Sequence, residues 1–201
     1  MQVFYREYED GAYSIEAFFI QYTAMEIPFE IFTSLIFSLL GDLAVGLPRT
    51  ATMFFVLSFN CFCIVSCGES LGIMFNTLFN HSDFAVNLTS AIISISTLMA
   101  GTVSLNVPAF LQAFNHLSPL KWAIGNLAPY SMQGLIFTCD DSQRVNGSCP
   151  IATGEQALQL YNLNASPGLN IMALGICTIG YRLVSYLLLR AIKTHWSWKK
   201  R

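Results

Sequence analysis

Of the 201 residues, 54% are hydrophobic and only 11% charged, against roughly 25% charge in a typical soluble domain. So little charge cannot cover a water-exposed surface, which makes a soluble enzyme improbable. A net charge of −2, with no basic run before the last three residues, leaves nucleic-acid binding unsupported.

A membrane helix takes about 20 mostly apolar residues, and four stretches are long enough. Residues 1–16 come first and are amphipathic, with Arg6, Glu7, Glu9 and Asp10 and no basic signal-peptide start. They read as a cytosolic segment, as if cut from the middle of a longer protein. The spans are expected at 17–47, interrupted by Glu26, Pro28, Glu30 and Asp42; at 51–79, with Asn60 and Glu69 inside; at 84–105, without charge; and at 169–189, with Arg182. Residues 107–137 are apolar but broken by Pro108, Pro119, Pro129 and glycines, which suits a re-entrant outer-leaflet helix pair better than a span. A polar extracellular loop follows at 138–168, and residues 190–201 form a basic cytosolic tail. The fold class is therefore an all-α membrane protein: four transmembrane helices, a re-entrant pair and a small disulfide-containing outer loop.

Basic residues set the orientation. Arg6, Arg190, Lys193, Lys199, Lys200 and Arg201 flank the two termini, while Arg49 and Arg144, with Lys121 in the broken region, lie opposite. Both termini are expected in the cytosol. The loop chemistry agrees. Cys139 and Cys149 flank the sequon Asn146-Gly147-Ser148, and Asn164-Ala165-Ser166 is a second sequon; both features belong to the outer side of a membrane. Asn87-Leu88-Thr89 matches the same pattern inside a span, so a sequon alone decides little. Cys61, Cys63, Cys67 and Cys177 fall in spans and read as small packing residues.

Several chemistries find no motif. Neither a phosphate-binding G-x-x-x-x-G-K-[ST] loop nor H-E-x-x-H is present, nor is a G-x-S-x-G elbow. His81, His116 and His195 are scattered, so no metal site and no catalytic residue is assigned. An intramembrane acid catalyst, Glu69 or Asp42, has no paired acid in a recognised motif. In the third span, Asn87, Ser90, Ser94, Thr97, Gly101 and Ser104 recur every three or four residues on one helix face. The plainer reading is close helix packing by small residues; the sharper one is a cavity wall for an amphipathic substrate. The two are compatible at a dimer interface. Glu26 and Glu30 read as a solvated helix entrance. Glu69, deeper in its span, reads as part of a structural polar cluster with Arg182, although that arginine could also snorkel to the cytosol. Thr153-Gly154-Glu155-Gln156 fits a capping box, followed by the stripe Ala157, Leu158, Tyr161 and Leu163.

These residues in this order resemble the White/ABCG class of ATP-binding-cassette transporters. Val3-Phe4-Tyr5-Arg6-Glu7 with Gly11 and Tyr13 is similar to that class's cytosolic coupling segment. Glu26-Ile27-Pro28 matches the start of its third membrane helix, Gly68 to Gly72 its fourth and Gly101 the end of its fifth. Ser118-Pro119-Leu120-Lys121-Trp122 with Asn126 resembles its re-entrant helices, and the run Cys149 to Gln156 is particularly similar to fungal members. The resemblance spans nearly the whole chain but only part of the membrane domain. The nucleotide-binding domain and first two membrane helices have no counterpart.

The resemblance implies the membrane-spanning part of an ATP-driven exporter of lipids or amphipathic compounds, inactive in transport without its ATPase domain. ATP and Mg would bind that domain, and this chain would hold no cofactor. Arg6, Glu7, Gly11 and Tyr13 would couple to the nucleotide-binding domain, and Ser90, Ser94, Thr97 and Gly101 would line the substrate cavity. Partners would be membrane lipid and a second half-transporter, in a homo- or heterodimer at the plasma membrane or an endomembrane. The alternative is a membrane subunit that dimerises with intact half-transporters and regulates them.

Overall fold

The computed structural model describes residues 14–47, 50–79, 81–102, 114–139, 149–163 and 166–199. Helix α1 spans Ile15–Val45, α2 Ala51–Leu78 and α3 Ser82–Thr97, the last continued by a π turn over Leu98–Thr102. Then come α4 at Pro119–Met132, α5 at Gly154–Leu160 and α6 at Pro167–Lys199. Among the described residues, four helical stretches are long and apolar enough to cross a membrane: Ile15–Val45, Ala51–Leu78, Ser82–Ala100 and Pro167–Ile192.

Local chemistry sets the helix ends. Ser14 and Thr50 cap α1 and α2 by accepting hydrogen bonds from the amides of Ala17 and Met53, each at 3.2 Å. Gly46 closes α1 in the left-handed region at φ 70°, where a Cβ is disfavoured. Pro28 lies inside α1 and deprives the Ala24 carbonyl of its helical donor, yet the helix runs through it; apolar surroundings favour keeping every other backbone bond. α6 continues past the expected end at 189 because nothing between Ala191 and Lys199 breaks it.

On α1 the burial pattern is inverted relative to a soluble bundle. On α1 the buried positions after Ile15 are Glu30, Ser34 and Ser38, one turn apart, while Phe29, Phe32, Phe37 and Leu40 are exposed. That is the pattern of a helix with lipid on its outer side. Glu30, expected to be solvated, is only 2% exposed: it shares the inward face with the two serines. α2 is the central helix and packs against α1, α3, α4 and α6. Its inner face buries Met53, Leu57, Asn60, Cys63, Cys67 and Ser70, and Cys63 joins Ala123 and Leu174 in the core. The four cysteines outside the loop are free thiols, Cys63 and Cys67 buried.

α4 carries the described part of the expected re-entrant pair; most of its first member lies outside the described residues. Beyond α4 the chain turns at Gly134, and Ile136 bridges antiparallel to Thr153. The amide of Phe137 donates to the Ala152 carbonyl and that of Gly154 to the Leu135 carbonyl, both at 2.9 Å. Cys139 and Cys149 are disulfide-bonded, their Cα atoms 5.9 Å apart. Thr153 and Gln156 form the capping box of α5. The helix ends earlier than the Leu163 stripe suggests, because Asn162 adopts a left-handed φ of 54°.

Candidate functional site

Two polar seams run through this apolar bundle. The first joins α2, α4 and α6 through three asparagines. Asn126, fully buried, donates from Nδ2 to Asn60 Oδ1 at 2.9 Å, and Asn60 donates in turn to the Ala123 carbonyl at 3.1 Å. From α6, Asn170 donates to the Gly125 carbonyl at 2.8 Å. A Cβ on Gly125 would stand 3.1 Å from the Asn170 amide nitrogen, so a side chain there would press on the group that makes this bond. Interhelical amide bonds of this kind hold membrane helices together where burial of apolar surface cannot. Sequence reasoning noted Asn60 and Asn126 singly and missed the network. Its only signal was three amides in otherwise apolar stretches.

The second seam is the acid–base cluster. Arg182 Nη1 of α6 lies 3.6 Å from Glu69 Oε2 of α2, with both side chains largely buried. Glu26, Glu30 and Tyr22 of α1 stand close enough to act on this pair. The structure thus brings Glu69 and Arg182 together as expected, and it places Glu30 beside them. Both Glu30 oxygens are buried without a hydrogen-bond partner. The cluster gathers Glu26 and Glu30 beside the Glu69–Arg182 pair at the junction of α1, α2 and α6.

Helix α3 presents the hydroxyl stripe. Asn87, Ser90, Ser94 and Thr97 are all exposed on one face. Ser94 donates to the Ser90 carbonyl at 2.8 Å and Thr97 to the Ile93 carbonyl at 2.9 Å, so the hydroxyls are satisfied within their own helix. Ala85, on another face, is buried. Gly101 falls within the π turn, whose extra residue per turn shifts it from the position α-helical spacing would assign. Ser104 lies outside the described residues, as do Arg6, Glu7, Gly11 and Tyr13, expected to couple to the nucleotide-binding domain, and the sequon asparagines Asn146 and Asn164.

Four apolar helices wrapped around inward-facing polar seams define an integral, multi-pass membrane protein. The family model for ABC-2 type transporters matches residues 1–128, and the chain belongs to that family, as a membrane domain of the ABCG-like kind. It is 38% identical over 198 residues to an uncharacterized ABC transporter ATP-binding protein/permease of Saccharomyces cerevisiae, covering 96% of this chain and 15% of that protein. Identity to ABC transporter G family member 2 of Dictyostelium discoideum is 28% over 181 residues, covering 80% of this chain and 14% of the relative. With ABC transporter G family member 42 of Arabidopsis thaliana it is 26% over 127 residues, 62% and 9% of the two chains. The chain therefore spans about a seventh or less of the length of these relatives.

Proposed function

We propose that these residues form the C-terminal part of the membrane domain of an ATP-driven exporter, which moves lipids or amphipathic compounds outward. Two such domains pair in the membrane, as a homo- or heterodimer. ATP and Mg bind a nucleotide-binding domain outside these 201 residues, and without that domain no transport occurs. Arg6, Glu7, Gly11 and Tyr13 pass its closure to the helices. Both termini face the cytosol, with Asn146 and Asn164 glycosylated on the far side. Glu69 and Arg182 hold α2 to α6 as a structural pair.

The observation that carries this reading is the exposed polar face of α3. A helix in lipid gains nothing by turning Ser90, Ser94 and Thr97 outward, whereas a wall shared with substrate or a second membrane domain uses them. The test places Ser94→Leu and Thr97→Leu in a complete transporter containing this domain. Dimer recovery and substrate-stimulated ATPase are then measured together. Intact dimers with altered stimulation are expected if the face lines the cavity. Overpacking a helix seam costs roughly 1–3 kcal/mol, so a packing role predicts lost dimers instead. Lost dimers, or no change in either readout, removes the stripe from the substrate site.

A further inference from the structure

The acid–base seam holds more acid than its base can neutralise. Glu30 of α1 is almost wholly buried, and neither of its carboxyl oxygens has a hydrogen-bond partner. The carboxyl of Glu69, on α2, lies within hydrogen-bonding reach of it. Glu69 in turn faces Arg182 of α6, with 3.6 Å between Oε2 and Nη1. Tyr22 and Glu26 of α1, with Cys63 and Cys67 of α2, are the other titratable groups that act on this cluster. Among the described residues, Arg182 is the one cation that does so.

Two ionised carboxylates only accept hydrogen bonds, so Glu30 and Glu69 cannot bond to each other in that form. Their like charges also repel strongly in a dry interior, and one guanidinium cannot balance both. A buried acid in a membrane needs a cation, a metal or a proton. The cation is already engaged by Glu69. A metal does not suit the site, because no three His, Cys, Asp or Glu side chains among the described residues are grouped to hold one. A proton does suit it. A protonated carboxyl gains an O–H donor, which is what two facing acceptors lack.

We propose that this junction is a proton-binding site, in which Glu30 carries a proton and donates it in a hydrogen bond to Glu69. Glu69 stays ionised and keeps its pairing with Arg182. The arrangement joins three helices in one chain of contacts, from Glu30 on α1 through Glu69 on α2 to Arg182 on α6. Its buried core then bears no net charge. Glu26, half-buried one turn earlier on α1, stands outside the proton-sharing pair. The proton thus latches α1 to the α2–α6 pair, and its loss sets two carboxylates against each other. A proton is a ligand beyond the export reading, which asks only that Glu69 and Arg182 hold two helices together.

The test uses the full chain in dodecyl maltoside, a detergent without a carbonyl of its own, at neutral pH. Infrared difference spectra against each variant read the carbonyl stretch of a protonated carboxyl, identified by its shift in heavy water. The parent should show this band and Glu30→Gln should lose it. Glu26→Gln should keep it. Glu69→Gln should also lose it, because Arg182 is then free to pair with an ionised Glu30. A parent without the band overturns the proposal, as does a band that survives Glu30→Gln. A band that survives Glu69→Gln overturns the sharing, since burial alone would then hold the proton. Should Glu69→Gln not fold, the parent still decides. Dicyclohexylcarbodiimide, an apolar reagent, modifies protonated carboxyls and leaves carboxylates alone. Mass spectrometry should find its adduct on Glu30 or Glu69; an adduct on neither overturns the site.

Discussion

The asparagines joining α2, α4 and α6 and the hydroxyls of α3 are all polar groups in apolar helices, yet they find their partners in opposite ways. A serine or threonine hydroxyl reaches its own helix's carbonyl one turn back, as Ser94 and Thr97 do. It then asks nothing of its neighbours, and its face stays available. An asparagine amide has more donors and acceptors than its own helix can serve. Asn60, Asn126 and Asn170 therefore reach across to other helices and fix their spacing. Polar residues of similar size thus do two jobs in one membrane domain: the amides of Asn60, Asn126 and Asn170 staple, and the hydroxyls of Ser94 and Thr97 leave a surface open.

The acid–base pair tests the stapled side hardest. Arg182→Leu leaves Glu69 facing Glu26 and Glu30 with no cation beside them, and removing one partner of a buried pair costs about 3 kcal/mol or more. Unfolding in mixed micelles, titrated with dodecyl sulfate and followed by circular dichroism, reads this directly. Combining it with Glu69→Leu should recover most of the loss. A single variant as stable as the parent would mean that the pair is not structural.

A smaller effect is expected in the asparagine network. Asn126→Leu removes the donor to Asn60 Oδ1 in a dry interior, and an orphaned buried acceptor costs about 2 kcal/mol. The loss in Asn60→Leu with Asn126→Leu should fall short of the sum of the singles, because the two share one hydrogen bond. Strict additivity would show the amides acting independently.

The smallest change belongs to α3. Ser94→Ala and Thr97→Val remove hydroxyls that bond only within their own helix, and each should shift the same unfolding transition by no more than about 0.5 kcal/mol. A loss matching that of Asn126→Leu would erase the distinction between stapling amides and an open face.

What could be read in advance follows the same division. Spans, capping box and disulfide are local: each is written in a run of apolar residues, a four-residue pattern or two cysteines ten positions apart. The Glu69–Arg182 pair was also legible, because a lone base and a deep acid in apolar helices leave few alternatives. The asparagine network was not. Asn60, Asn126 and Asn170 are separated by dozens of residues, and only the packed bundle selects the partner. The burial of Glu30 was hidden for the same reason: which face of α1 meets α2 is decided by the neighbour. The π turn that displaces Gly101 has no simple sequence mark.

The junction of α4 with α5 has a mechanical consequence. A side chain at Gly154 would collide with the Met132 carbonyl, so the start of α5 rests directly on the end of α4, backbone against backbone. The amide of Gly134 also reaches toward Glu155 Oε1 at 3.4 Å, and the two main-chain bonds beside the disulfide close the same joint. With no compliant side chain between them, α4 and α5 behave as a lever with a rigid elbow. A tilt of α4 is then passed on to α5, where Gln159 offers an exposed position for a spectroscopic label that watches the inside of the bundle from outside it.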